Sequence, residues 1–151
     1  MRAQLKWGVN MLKQIGIIER CAIMYRNQAF KEIGLNGCSH SYIINVCKNP
    51  GITQEALAKV IHVNKSNVTR NLVMLEALGY IYREESKTDK RSMLVYPTDK
   101  ACEVLPKIRE ILYKFDTEVT MVFTEDEKKW INEKLTLVAQ NAMQIVGDGD
   151  A

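Results

Sequence analysis

Apolar residues recur with a helical period in the middle of the chain, between Asn64 and Tyr80. Four of them share one helix face: Val68, Leu72, Leu75 and Leu78. Asn64 is a typical first residue for such a helix, and Gly79 supplies the left-handed stop at its end. The first turn and a half is polar or cationic: Lys65, Ser66, Asn67, Thr69 and Arg70. The pattern predicts a helix that presents a charged, amide-rich start to its surroundings.

A shorter helix is predicted directly before it, over Gln54–Ile61, with Thr53 as its cap. Its inward-facing residues are predicted to be Ala56, Leu57 and Val60. The connection from Ile61 to Asn64 leaves room only for a tight turn. Two short helices joined in this way form a helix-turn-helix unit.

After Gly79 the apolar period changes from about 3.6 to two. The segments Ile81–Glu84 and Arg91–Tyr96 are predicted to be strands, and the charged segment Glu85–Lys90 is predicted to be the loop between them. The sequence therefore predicts a helix-turn-helix followed by a β-hairpin wing.

Helices are predicted on both sides of this unit, over Leu5–Lys31, Ser39–Lys48 and Asp99–Thr120, the last with a kink at Pro106. A final helix starts at a T-x-x-E capping box, which pairs Thr124 with Glu127. The apolar stripes of the first and last helices are wider than one small lobe covers, and this predicts a homodimer.

The expected fold is mainly α with a small β-hairpin wing (α+β). The whole chain, 1–151, is interpreted as a single domain. Within it, residues 39–97 form a winged helix-turn-helix lobe, and residues 1–36 and 98–146 form a helical dimerisation region.

The net charge of +3 is too small to indicate nucleic acid, but its distribution is uneven. Residues 1–50 carry seven Lys/Arg against two Asp/Glu, whereas residues 101–151 carry six against ten. The acidic last third is expected to face away from DNA, although two ordinary solvated helix faces would give the same distribution. Because the chain has neither a long apolar run nor a signal-peptide pattern, a cytoplasmic protein is expected.

The sequence contains no motif that would carry catalysis, such as a P-loop, a dinucleotide fingerprint, H-E-x-x-H or G-x-S-x-G. The protein is therefore predicted not to be an enzyme and to need no cofactor. The four cysteines have no C-x-x-C spacing and no nearby histidine pattern, so no metal site is predicted. They are expected to be reduced, half-buried core residues: Cys21, Cys38, Cys47 and Cys102.

From Gly51 to Ala101 the chain resembles the MarR family of transcriptional regulators. Three motifs carry the resemblance: V-N-K-S-N-V-T-R at Val63–Arg70, L-E-x-L-G-Y-I at Leu75–Ile81, and D-x-R in the wing. The flanking helices match the family in order and length. The resemblance implies a homodimeric regulator, most often a repressor, that binds a pseudo-palindromic operator in double-stranded DNA.

A DNA-binding surface follows from the resemblance and from the residue types. Thr53, Gln54 and Lys65 are expected to contact phosphates. Four residues are expected to face the major groove, with Arg70 the best candidate for a guanine edge: Ser66, Asn67, Thr69 and Arg70. In the wing, Lys87 and Lys90 are expected near DNA and Arg91 is expected to enter the minor groove. Asp89 is expected to hold the Arg91 guanidinium, and the alternative is a surface ion pair that braces a turn.

The sequence does not identify the signal that the protein senses. Because relatives of this type release DNA when a small, often aromatic, acid binds, the resemblance favours a small aromatic or phenolic effector, with Arg20, His40 and Tyr42 as candidate lining residues. His40 could equally be an ordinary surface or capping group. A cysteine-based redox regulator is the alternative, although Cys21 does not coincide with the position near Gln14 where some relatives have a reactive cysteine. A winged-helix module that binds protein instead of DNA is disfavoured by the cations Lys65, Arg70 and Arg91.

Overall fold

The computed structural model describes residues 11–147, and its helices and strands follow the predicted order. The helices are α1 Met11–Ala29, a 3-10 helix Lys31–Ile33, α2 His40–Lys48, α3 Gln54–Ile61, α4 Lys65–Ala77, α5 Asp99–Thr120 and α6 Glu125–Val146. The strands are β1 Ile52–Thr53, β2 Ile81–Glu85 and β3 Met93–Pro97. The prediction of a mainly helical fold with a small β wing is confirmed.

The three strands form one antiparallel sheet in the order β1-β3-β2. Strands β2 and β3 make the wing, in a register that pairs Ile81 with Pro97 and Glu85 with Met93. Strand β1 was not predicted, because two residues are too short to show an alternating pattern; it pairs Ile52 with Val95. This third strand joins the chain just before α3 to strand β3 of the wing.

A single cluster of buried apolar side chains lies beneath this sheet and between the helices of the winged unit. It is built mainly from α2, α3, α4 and β3, and α5 contributes Ala101 and Ile108. Side chains of this core are fully buried in each of these elements: Ile43, Val46, Leu57, Val68, Leu72, Leu75, Val95 and Ile108. The orientation of the two short helices is therefore set by burial of their apolar faces.

Several local predictions were wrong. Val60 is 50% exposed, and Ala58 takes the inward position on α3 instead. The first helix ends at Ala29 and not at Lys31, and its predicted start at Leu5 lies outside the described residues. Three of the cysteines are exposed and only Cys47 is half-buried, so the expectation of four half-buried core cysteines does not hold.

The last helix contributes little to the core of its own chain. Within residues 11–147, α6 has no buried residue, and much of its apolar surface is exposed, including Trp130, Leu137 and Ile145. The start of α1 is similar, with Leu12 and Ile18 exposed. Between residues 11 and 147, no helix is both long enough and apolar enough to span a membrane.

Polar contacts fasten the end of α4 to the beginning of α5. The Thr98 hydroxyl donates to the Gly79 carbonyl at 2.7 Å, and the Lys100 ammonium donates to the Leu78 carbonyl at 2.6 Å. The same ammonium lies 4.4 Å from the centre of the Tyr80 ring. A cation at a helix C-terminus compensates the partial negative charge of its free carbonyls, so this junction is stabilised electrostatically as well as by packing.

Candidate nucleic-acid interface

The start of α4 is organised by its cap. Asn64 Oδ1 accepts hydrogen bonds from the Asn67 backbone N–H at 2.8 Å and from the Ser66 hydroxyl at 3.0 Å. The predicted cap is therefore confirmed, and it fixes the direction of the first turn. The five polar and cationic residues of this segment are all exposed, as the pattern predicted: Lys65, Ser66, Asn67, Thr69 and Arg70.

These side chains differ in whether they already form hydrogen bonds or ion pairs within the protein. Thr69 donates its hydroxyl proton to the Lys65 carbonyl at 3.0 Å, and the Ser66 hydroxyl is used in the cap. In contrast, neither Lys65 nor Arg70 forms an ion pair with any residue between 11 and 147. Their charges are therefore available to an external anion, while the two hydroxyls retain only acceptor capacity.

A groove of about 280 Å³ joins the starts of α3 and α4 to the loop end of the wing hairpin. It is lined by Thr53, Gln54, Glu55, Lys65, Val68, Thr69, Arg91, Ser92 and Met93. Five predicted DNA-binding residues from three separate elements thus meet at one surface: Thr53, Gln54, Lys65, Thr69 and Arg91. The Thr53 hydroxyl accepts a hydrogen bond from the Ala56 backbone N–H at 3.0 Å, so that side chain caps α3 as predicted.

Asp89 does not hold the Arg91 guanidinium, and this prediction was wrong. Asp89 Oδ1 accepts from the Arg91 backbone N–H at 3.0 Å, and Oδ2 accepts from the Ser92 hydroxyl at 2.7 Å. Both bonds lower the pKa of the Asp89 carboxyl, the Ser92 hydroxyl more than the Arg91 N–H. Through these local hydrogen bonds the carboxylate closes the wing turn. Such an Asx arrangement competes with an ion pair between Asp89 and the Arg91 guanidinium. No ion pair of the Arg91 guanidinium occurs within residues 11–147.

Ser86 is a wing residue that the sequence analysis missed. Its hydroxyl accepts hydrogen bonds from the Thr88 and Asp89 backbone N–H groups at 3.3 and 3.2 Å. Its own N–H donates to the Ser92 carbonyl at 2.9 Å. A serine near the start of the charged segment Glu85–Lys90 was the signal in the sequence, because Ser and Asp commonly hydrogen-bond nearby backbone. Lys87 and Lys90 lie exposed on the turn that Ser86 and Asp89 shape.

The three candidate effector residues differ in exposure. Arg20 is exposed on α1, and Tyr42 is only 2% exposed within the hydrophobic core. His40 is half-buried, with its Nδ1 3.1 Å from the Gly37 carbonyl and its ring 6.2 Å from that of Phe30. Tyr42 therefore packs in the core of the free protomer, and His40 and Arg20 remain the accessible members of the set.

Burial of His40 predicts a pH dependence of folding stability. Burial, and secondarily the nearby Arg26 charge, lower the pKa of the imidazole from its ordinary value of 6.5. The unfolded chain therefore binds a proton near pH 6.5 that the folded chain does not yet accept. Stability is expected to be complete above this pH and to fall as the pH drops towards the lowered pKa. Urea unfolding at pH 7.5 and 5.5 measures this fall in the free energy of unfolding. In His40→Gln the difference between the two pH values should be smaller. An equally large difference in that variant would show that His40 does not cause the pH dependence.

Comparison with known proteins identifies the relatives of this fold. A sequence profile described as MarR family matches residues 33–92, which contain α2 to the wing turn. The HTH-type transcriptional regulator YybA of Bacillus subtilis, itself uncharacterized, is 32% identical over 133 residues, or 87% of this chain and 88% of YybA. The chain belongs to the MarR family.

Solved structures of MarR-family proteins extend the likeness to nearly the whole chain. A MarR protein from Peptoclostridium difficile superimposes with a TM-score of 0.89 at 26% identity, over 95% of this chain and 94% of that one. A putative MarR family transcriptional regulator from Listeria monocytogenes, solved in complex with 26mer DNA, gives a TM-score of 0.83 at 26% identity. That match covers 95% of this chain and 99% of the Listeria protein. As a MarR-family member this chain is a DNA-binding transcriptional regulator, in a family of regulators and not of enzymes.

Proposed function

We propose that the protein is a homodimeric repressor that binds a pseudo-palindromic operator. Each protomer would place the start of α4 in the major groove and its wing in the adjacent minor groove. The observation that supports this most directly is the shared groove. It collects a helix start, the Lys65 ammonium and the wing arginine on one surface, which is the chemistry that phosphates and base edges require.

The contacts within residues 11–147 suggest a division of roles on that surface. Arg70 and Asn67 are exposed near the start of α4 and would contact base edges, with Arg70 bidentate to guanine. Lys65 would neutralise a phosphate. Thr53 and Gln54 stand at the start of α3, where free backbone N–H groups and the helix dipole favour a phosphate. Ser66 and Thr69 would act as acceptors, since their hydroxyl protons are already used.

The exposed apolar surface of α6 and of the start of α1 supports the homodimer. A 22-residue helix with no buried residue in its own chain leaves its apolar side exposed to water. Burying that side against the same helices of a second protomer satisfies the hydrophobic effect with a two-fold arrangement. A two-fold protein in turn matches a pseudo-palindromic operator.

A small aromatic or phenolic acid is proposed as the effector. Arg20 offers an exposed cation for a carboxylate, and His40 offers a half-buried ring nitrogen. Such a ligand releases DNA only as far as it prefers the non-binding arrangement of the dimer. Operator affinity should fall when salicylate or a phenol is added. Unchanged affinity with both would contradict this part of the proposal.

Operator binding itself is tested by a mobility shift with the DNA upstream of the protein's own gene. Specific binding should survive excess unrelated DNA, and the logarithm of the affinity should fall linearly with the logarithm of salt concentration. A salt-dependent affinity that is equal for every sequence would contradict sequence-specific repression. Absence of binding, combined with capture of a protein partner, would instead favour a protein-interaction module.

Arg91→Ala is expected to weaken operator binding most when the flanks of the site are A·T-rich. Such flanks have a narrow minor groove whose negative potential attracts arginine. Asp89→Ala should give a smaller defect, because it loosens the wing turn without removing the guanidinium. Affinities on A·T-rich and G·C-rich flanks measure the difference. Lys59→Ala is the matched control, an exposed cation of α3 that pairs with Glu55; an Arg91 variant that behaves like it on every flank would refute the wing contact.

A further inference from the structure

An ion pair joins the end of α4 to the first strand of the wing. Glu76 lies in the last turn of α4, and Arg83 lies in the middle of β2. The Arg83 Nε–H and Nη2–H groups both donate to Glu76 Oε2, at 3.1 and 2.6 Å. Because these two donors lie along one edge of a planar guanidinium, they fix the direction of the contact as well as its length. The pair therefore restrains the angle between helix and strand.

The Glu76–Arg83 pair is partly shielded from water. The Arg83 side chain is 20% exposed and the Glu76 side chain 37%. The hydrogen bond from the Arg83 side chain lowers the pKa of the Glu76 carboxyl, although burial acts in the opposite direction. The carboxylate is therefore charged near neutral pH. Partial burial distinguishes this contact from a fully exposed ion pair, whose long side chains are held loosely.

The strand that carries Arg83 lies at an edge of the sheet. Within residues 11–147 the strand order is β1-β3-β2, so β2 has a strand neighbour on one side only. The central strand β3 is held from both sides, with Val95 paired to Ile52 of β1 and to Arg83 of β2. The ion pair gives β2 a second attachment, to α4. Beyond β2 the chain continues into the turn that contains Arg91.

We propose that Glu76 and Arg83 are positioning residues for operator binding, which hold the wing at the angle where Arg91 and the start of α4 reach adjacent grooves together. The inference rests on the operator contacts proposed above. Glu76 itself lies at the opposite end of α4 from Lys65. Helix α4 is also held by its buried apolar side chains, including Leu72. Loss of the pair is therefore expected to move the wing and to leave the helix in place.

Glu76→Ala is expected to have an effect opposite in sign to that of charge alone. Removing a carboxylate makes the protein more positive, which by itself strengthens binding to phosphates. The variant should nevertheless bind an operator with A·T-rich flanks about three- to tenfold more weakly, because the wing no longer positions Arg91. Glu84→Ala is the matched control, since Glu84 is an exposed carboxylate of β2 with no ion pair within residues 11–147. Its operator affinity should equal or exceed that of the wild type.

A double-mutant cycle with Arg91→Ala tests whether the pair acts through the wing. In the Arg91→Ala background, Glu76→Ala should change operator affinity by less than about twofold, because the guanidinium that the pair positions is gone. Glu76→Gln keeps an oxygen acceptor for Arg83, so in the wild-type background it should lose less affinity than Glu76→Ala. Equal losses in the two backgrounds would indicate a general structural defect and would overturn the proposal. Wild-type affinity of Glu76→Ala would overturn it as well.

Hydrogen exchange in the free protein separates a failure of this inference from a failure of the proposed wing contact. With folding confirmed by circular dichroism, backbone amides of β2 in Glu76→Ala should exchange several times faster than in the wild type, and those of α3 should be unchanged. Unchanged exchange in β2 would show that the pair does not hold the wing, and would overturn the inference whatever the DNA affinities are. Faster exchange in β2, combined with wild-type operator affinity of Arg91→Ala, would instead refute the proposed wing contact and with it the role of the pair in DNA binding.

Discussion

Arg70→Ala is expected to weaken operator binding by about 1–3 kcal/mol per half-site and to relax the preference at one base pair. In the free protein Arg70 is exposed and has no ion pair within residues 11–147, so no ion pair is lost on substitution. The loss should therefore appear in DNA affinity and not in the thermal unfolding midpoint. Affinities for a set of operators with single base substitutions measure both the loss and the relaxed preference.

Lys65→Ala is the matched control for Arg70→Ala, because both remove an exposed cation from the first turns of α4. A phosphate contact carries no sequence information, so Lys65→Ala should weaken binding to all sequences equally. It should also reduce the salt slope by about one per contact. If Arg70→Ala gave this same uniform loss with unchanged base preference, Arg70 would be a phosphate contact and the proposed guanine contact would be wrong.

Charges on the exposed apolar side of α6 are expected to dissociate the dimer and with it most operator affinity. Leu135 is 42% exposed and Ile145 is 86% exposed, although both are apolar. A Leu135→Glu, Ile145→Glu double variant would bring unpaired carboxylates into a shared interface, where their desolvation is costly. Sedimentation at micromolar concentration should show monomers, and affinity for the full operator should fall by about 10²-fold or more, because linked binding to two half-sites is lost.

The control variant adds the same two negative charges to the polar side of α6. Gln140 and Gln144 are exposed one helix turn apart, on the side away from Leu135, and a Gln140→Glu, Gln144→Glu variant should remain dimeric and bind DNA. The monomeric variant should still fold, because α6 contributes no buried side chain to the core of residues 11–147. A dimeric, fully active Leu135→Glu, Ile145→Glu protein would contradict the proposed role of α6.

The sequence predicted those features that depend on neighbours along the chain. The predicted caps of α3, α4 and α6 are confirmed, because a side-chain oxygen needs only the backbone N–H two or three residues later. Helix α5 also has its predicted bounds, set by Thr98 before it and by the turn after Thr120. The exposed start of α4 followed from the same local pattern.

Features that depend on residues brought together from a distance could not be predicted. Strand β1 exists because Ile52 reaches β3 more than forty positions later in the sequence. Val60 was predicted to face inward, but it is exposed and Ala58 is buried, because the direction in which α3 packs is decided by the whole core. Asp89 binds the wing backbone and not the Arg91 guanidinium, and composition does not decide between these two nearby partners.

The hydrogen bonds of Thr98 and Lys100 join the end of α4 to the start of α5, so a movement of α5 would carry the end of α4 with it. With 22 residues at about 1.5 Å each, α5 is about 33 Å long. If it pivots at its far end by about 5°, the junction at Thr98 and Lys100 moves by about 3 Å and carries the end of α4 with it. That displacement is close to the ~3.4 Å rise of one base pair along DNA. A slight hinge motion at the far end of α5 would thereby be amplified into a displacement of α4 as large as one base-pair step.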